Sequence, residues 1–232
     1  MSSTAHTEHM NALQRFVSKR KQADGLGYLS EAPIEDKLFC FWDYSNVEPE
    51  YKNSYSPKDR PEVISLAALD YVVSRNRTID NLSCVITSCD RNFSLWREKG
   101  VEVKIMPKIQ IGPDTFCEQA VDESIQARMT EAIWQYRSYR KAYNDPDKLA
   151  PATLVLISGD GSPGEYNLDG FYMEIAHALR SRMRVKIWSW RKSVSPRFYE
   201  LRTEYPSLLK IHYFDPFAPY LGSCGAADCN FP

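Results

Sequence analysis

Two stretches of this chain are apolar at successive rather than alternate positions, Leu38-Phe39-Cys40-Phe41-Trp42 and Thr153–Ile157. A strand that buries one face alternates, whereas one covered on both faces does not, so these runs predict central strands of a parallel sheet. Between and after them the period changes repeatedly. Val63, Leu66, Ala67, Leu69 and Val73 have helical spacing, with Pro61 placed for a first turn, and predict a helix over 61–76. A strand at 82–87, a short helix at 92–99 stopped by Gly100 and a strand at 101–106 follow. Residues 108–118 read as loop, and Val121, Ile125, Met129, Ile133 and Trp134 mark the inner stripe of a long helix over 120–143. The remainder predicts a helix at 168–182, a strand at 184–190, a helix at 196–204 and a strand at 208–213. Residues 9–22 read as a polar, basic helix that packs on the outside or frays, and a long polar loop rich in Tyr and Pro follows Asp43. Strands alternating with helices mean βαβ units. The expected fold is α/β, a three-layer sandwich with a mostly parallel central sheet of about five strands. Residues 1–35 form an N-terminal helical extension, 36–214 the main domain and 215–232 a tail that either caps the sheet or lies disordered.

Composition narrows the class but does not pick a function. Of 232 residues, 43% are hydrophobic and 25% charged, the balance of a soluble globular protein. Lys and Arg (29) nearly cancel Asp and Glu (30), so a nucleic-acid partner must be argued from a local patch. No apolar run approaches the ~18 residues of a membrane span, and the N-terminus lacks the apolar stretch of a secretory signal. The expected location is intracellular, cytoplasmic or nuclear, with no membrane partner. In a reducing compartment Cys40, Cys84, Cys89 and Cys117 read as small core residues. The pairs Cys84/Cys89 and Cys224/Cys229 lack the spacing and the nearby His of a zinc site.

In an open α/β sheet, chemistry gathers beyond the carboxyl ends of the strands. The first central strand delivers Asp43-Tyr44-Ser45-Asn46 to that rim, and the second delivers Ser158-Gly159-Asp160. The long helix opens there with Asp122-Glu123. Each acid has an ordinary role when taken singly: Asp43 as a cap after a strand, Asp122 as a first-turn acid, Asp160 as a turn residue. Together, converging carboxylates need a cation to stay ionised, and an oxygen-only cluster selects Mg²⁺ or Mn²⁺.

The strings around these acids resemble a known family. LFCFWDYSNV is similar to the first strand of NYN domains, the ribonuclease-like branch of the PIN superfamily; CEQAVDESIQARM resembles its second acidic motif; LVLISGDGSPGEYNLDGFYMEIAHALRSRMRVKIWSWRKSVS resembles its third. The resemblance covers roughly residues 36–200 and implies a PIN-like fold and metal-dependent hydrolysis of RNA. It implies that Asp43, Asp122 and Asp160 hold Mg²⁺ or Mn²⁺, which activates water for attack on a phosphodiester. Asn46 and Ser45 would bond a ligating carboxylate or the scissile phosphate, roles that compete with plain turn chemistry. Ser162 and Arg128 stand where many members carry further acids, and Glu123, Glu165 and Asp169 are the candidates to restore that charge.

A substrate patch has its own signal. Seven basic residues and no acid lie between Arg180 and Phe198, interleaved with Trp188 and Trp190, which suits single-stranded RNA. Alternatively the tryptophans pack in the core and the first half of the stretch is a solvated face. Arg191 and Lys192, directly after a strand, are the substrate-binding candidates. Two other classes compete with an active ribonuclease: a PIN-like module that binds RNA or protein without cutting, and an NADP-binding protein whose Gly159-Asp160-Gly161-Ser162-Pro163-Gly164 satisfies G-x-G-x-x-G. Against the latter, Asp160 places a negative charge beside a pyrophosphate and Pro163 removes an N–H. A homo-oligomer is allowed, without a readable signal for it.

Overall fold

The computed structural model describes residues 3–23, 37–56, 63–74, 77–81, 83–87, 93–110, 116–118, 121–142, 152–159 and 170–222. Within these, the order is α1 (Ser3–Ala23), β1 (Lys37–Asp43), α2 (Tyr44–Ser54), α3 (Leu66–Ser74), β2 (Cys84–Thr87), α4 (Ser94–Glu98), β3 (Glu102–Ile105), β4 (Lys108–Gln110) and β5 (Phe116–Glu118). Then come α5 (Val121–Ala142), β6 (Ala152–Ile157), α6 (Phe171–Arg180), β7 (Arg184–Ser189), α7 (Pro196–Glu204), β8 (Leu209–Tyr213) and α8 (Ala218–Leu221).

The chain is an α/β protein whose six-stranded sheet runs β3-β2-β1-β6-β7-β8, every neighbouring pair parallel. Both faces of the central strands are covered, which is why their sequences do not alternate. On β1, Leu38, Cys40 and Trp42 face a layer supplied by α1, α2, α3, α4 and α8. Phe39 and Phe41 face the layer of α5, α6 and α7. Each fully buried large side chain of this kind contributes about 1.5–3 kcal/mol.

Several expectations need correction. The stretch after Asp43 is the helix α2, not a loop. Its inner stripe, Tyr44, Val47, Glu48 and Tyr51, has helical spacing, but one member is a carboxylate. Glu48 is buried because it accepts the Ile64 N–H at 3.1 Å and pairs with Lys52 at 3.3 Å. The third helix begins at Leu66, later than expected, because Ile64 forms an antiparallel bridge with Gly222 and the Ser65 N–H donates to Leu221. The tail thus begins by docking, with Leu221 buried. Residues 108–118 include an antiparallel hairpin, β4 with β5, whose three-residue strands are too short to show a period. Trp134, expected inside, is 59% exposed, since it lies one position round from the buried Ile133. The first helix packs rather than frays: Leu13 and Val17 are buried, and Phe16 meets Phe217 and Tyr220 at ring distances of 5.6 and 4.9 Å.

Cys40 and Cys84 are buried free thiols on adjacent strands. Burial pushes the Cys84 thiol up to about 12, against a smaller opposing pull from Arg128 and Lys104, and raises Cys40 further, with Asp70 adding to the effect. Thiolate is the reactive form, so both are inert at neutral pH. Alkylation with iodoacetamide at pH 8, mapped by mass spectrometry, is expected to leave these two unlabelled in the native protein and to label them in denaturant. Rapid native labelling of either would contradict this packing.

Candidate functional site

The sheet order reverses between β1 and β6: the chain moves outward from β1 to β2 and β3, then returns to β6 and builds β7 and β8 on the other side. Loops leaving two such strands diverge and open a crevice beyond their carboxyl ends. In the register, Trp42 lies beside Ile157, so Asp43 and Ser158 arrive at the same level of that crevice.

Asp43 is the last residue of β1, only 4% exposed, and also the N-cap of α2. Its Oδ1 accepts from the Ser45 hydroxyl at 2.8 Å and the Asn46 N–H at 3.2 Å, while Oδ2 accepts from the buried Ser158 hydroxyl at 3.1 Å. Three donors from two strand ends therefore fix the carboxylate's orientation. Asn46 reaches across the crevice, where its Oδ1 accepts the Gly159 N–H at 3.0 Å. The Gly159 carbonyl in turn accepts the Ser195 N–H at 2.9 Å. Glycine is required there by space, since a Cβ would lie 2.2 Å from the Ser193 carbonyl oxygen and 2.3 Å from Ser189 Oγ. Ser158-Gly159 is thus clamped between the start of α2 and the segment 193–195. Asp160 follows at once, and it lies outside the described residues, as do Ser162, Glu165 and Asp169.

Asp122 enters from α5. The Lys104 ammonium donates to Ser124 at 3.3 Å, and Arg128, four residues on, pairs with Glu102 at the start of β3. The helix therefore runs opposite to the strands, and its first turn lies at their carboxyl edge. Ser124 and Arg128 occupy the flank facing β3. At about 100° per residue, the stripe Asp122, Gln126 and Thr130 occupies the opposite flank. That flank faces α6, as the 3.0 Å bond from Thr130 to Glu174 shows. Asp122 is accordingly on the side of α5 toward β6, with buried Gln126 behind it. Glu123 is one position further round, away from the sheet-facing stripe of Val121 and Ile125. Arg128 is tied to Glu102 and to Glu131, the latter at 2.8 Å, on the flank away from the crevice.

Arg191 and Lys192 sit in a single 3₁₀ turn after β7, both exposed. They are at the carboxyl edge but are engaged by the protein. Lys192 Nζ lies 2.6 Å from Glu50 and donates to Ser54 at 2.8 Å; the Arg191 guanidinium stacks over Tyr213 at 4.4 Å, and its backbone N–H donates to Asp215. Helix α2 extends across this rim, where Tyr55 stacks on Trp190 at 4.5 Å and donates to Asp215 at 2.8 Å. Burial, with Asp215 beside it, raises the Tyr55 phenol to about 12. Trp188 and Trp190 are core residues, stacked on His212 and on Tyr55 respectively, with the Trp190 N–H donated to the Val47 carbonyl at 2.9 Å. The basic stretch 180–198 is therefore not interleaved with exposed aromatic rings.

The sequence places Ser158 and Gly159 at this rim without giving their hydrogen-bonding roles, and sequence reasoning missed Gln126 and Ser195. Their roles arise from the β1–β6 register and the direction of α5, neither of which is written in local sequence. Among the described residues no three His, Cys, Asp or Glu side chains are grouped closely enough to hold a metal ion. Asp43 and Asp122 offer carboxylate oxygens, the donor type of a hard cation, and a third carboxylate would have to come from residues 160–169, outside the described residues. No helix among the described residues is long and apolar enough to cross a membrane.

No family model matches this chain, and no curated protein does. Among solved structures, a protein of unknown function from Vibrio parahaemolyticus is similar over 80% of this chain and 96% of its own, at 14% identity and a TM-score of 0.50. That likeness supports the α/β architecture alone.

Proposed function

We propose that this chain is a metal-dependent ribonuclease of the NYN/PIN-like type that hydrolyses single-stranded RNA in an intracellular, reducing compartment. The observation that carries the reading is the placement of Asp43: a buried carboxylate at the point where the strand order reverses, oriented by Ser45, Asn46 and Ser158. Asp122 comes from the flank of α5 that faces the same crevice. Asp43, Asp122 and Asp160 would hold one Mg²⁺ or Mn²⁺. Bound there, such an ion supplies an activated water and neutralises charge on the phosphoryl oxygens. The protein's own part is positional: Ser45, the Asn46 N–H and Ser158 keep Asp43 from rotating, and Asn46 holds Gly159 so that the next residue, Asp160, leaves from a fixed point. Arg128 does not oppose an ion, because it is neutralised by Glu102 and Glu131 on the far flank of α5.

The dinucleotide reading finds less support. The strand order is that of dinucleotide-binding sheets. A pyrophosphate, however, needs the glycine-loop N–H groups, and the Gly159 N–H is already given to Asn46 while its α-carbon is packed on Ser193 and Ser189.

The test is cleavage of a labelled single-stranded RNA by the purified chain. Stripping with EDTA should abolish cleavage, and added Mn²⁺ or Mg²⁺ should restore it. Cleavage indifferent to chelation, or no cleavage with either ion, would defeat the proposal and favour a module that binds without cutting.

A further inference from the structure

The flank of α5 that begins at Asp122 leads away from the crevice to a cavity of about 270 Å³ between α5 and α6, lined by Thr130, Ile133, Trp134, Arg137, Glu174 and His177. From Asp122 to Trp134 is twelve residues of helix, about 18 Å. Trp134 is 59% exposed, whereas Trp42, Trp96, Trp188 and Trp190 are at most 1% exposed. The Arg137 guanidinium lies 5.2 Å from the Trp134 ring centroid. Opposite them, the Glu174 carboxylate is 14% exposed. Its Oε2 accepts from Thr130 at 3.0 Å and faces His177 Nδ1 at 3.9 Å, so both contacts fall on one oxygen.

An indole ring with a guanidinium over one face, its other face available for stacking, and a carboxylate lining the same cavity are complementary to a nucleobase and its phosphate. The ring stacks a base, the guanidinium meets a phosphate, and a carboxylate accepts from an exocyclic amino group. A cavity of about 270 Å³ suits one unstacked base rather than a duplex. We propose that the α5–α6 cavity is a base-binding subsite for single-stranded RNA, with Trp134 as the stacking platform, Arg137 as the phosphate contact and Glu174 as the acceptor that favours amino-bearing bases over uracil. The choice of RNA as ligand rests on the ribonuclease reading of the crevice, but the subsite is tested by binding alone.

Because the other four tryptophans are buried, iodide-quenchable fluorescence reports on Trp134. Oligo(A) and oligo(C), added in EDTA, should shield Trp134 from iodide at concentrations several-fold lower than oligo(U) requires. By anisotropy with labelled oligo(A), Trp134→Leu should lose on the order of tenfold in affinity and Trp134→Phe less, while Glu174→Gln should reduce the preference over oligo(U). Unchanged quenching on saturation with all three, or equal affinity of wild type and Trp134→Leu, would overturn the subsite. If metal-dependent cleavage persisted alongside that result, the ribonuclease reading would stand without it. Shielding without any cleavage would uphold the subsite and reject the ribonuclease. Shielding that follows protein concentration, with no effect of RNA, would mark a protein contact and overturn the proposal.

Discussion

Replacing Asp43 by Asn is expected to lower the rate of metal-dependent RNA cleavage by about a hundredfold or more while moving the melting temperature by less than about 2 °C. The first figure follows because outer-shell partners of metal ligands alone cost about 10–100-fold when removed, and Asp43 is placed as a ligand itself. The second follows from the contacts Asn can keep. Its Oδ1 can still accept from Ser45 and the Asn46 N–H, as Asp43 does now. Its Nδ2 can donate to the Ser158 hydroxyl, reversing the existing 3.1 Å bond. Asn is also about as good an N-cap as Asp, so α2 keeps its start. A chain of this size shifts its Tm by roughly 2–4 °C per kcal/mol, so an equal melting curve is a sensitive control. Wild-type rates in Asp43→Asn, at an unchanged Tm, would remove Asp43 from the chemistry.

The substitution Gly159→Ala is expected to destabilise the protein by about 1–3 kcal/mol, a Tm loss of roughly 2–12 °C, with a parallel loss of activity. A methyl there would sit 2.2 Å from the Ser193 carbonyl oxygen, 2.6 Å from its carbonyl carbon and 2.3 Å from Ser189 Oγ. Two of these are backbone atoms, and Ser189 is fully buried, so the strain cannot be relieved by swinging an exposed side chain. The strand end must move instead, lengthening the bonds to Asn46 and Ser195 that hold it. Differential scanning calorimetry measures the stability loss, and cleavage at a temperature well below both transitions measures the displacement of the rim. A variant as stable and as active as wild type would mean that the β6 end is not closed against residues 189–193.

The sequence made parts of this legible and hid others for physical reasons. Leu38–Trp42 could be recognised as a doubly buried strand because a parallel sheet leaves no polar face, and the residue ending it, Asp43, could be singled out for the same reason. The central position of that strand could not: neighbours in a sheet are set by crossovers, and only the register Trp42 to Ile157 brings Asp43 level with Ser158. Helix α2 was obscured by Pro49 and by Glu48, a buried residue that any count of apolar positions scores as surface. The hairpin of β4 and β5 has three residues in each strand, fewer than a period-2 pattern needs to stand out. Trp134 reads as part of the inner stripe because adjacent helical positions differ by only about 100°, and an aromatic residue beside Ile133 has the pattern of a core position. Arg128 read as a lost acid in the site, whereas its flank of α5 faces β3.

The most direct measurement is anomalous diffraction from a crystal soaked in Mn²⁺. The account predicts a peak in the crevice between the ends of β1 and β6, with carboxylate oxygens of Asp43, Asp122 and Asp160 at about 2.0–2.2 Å, the span expected of a small divalent cation on oxygen. A peak held by other residues, or a crevice that stays empty at saturating Mn²⁺ with Asp122 turned away, would contradict it.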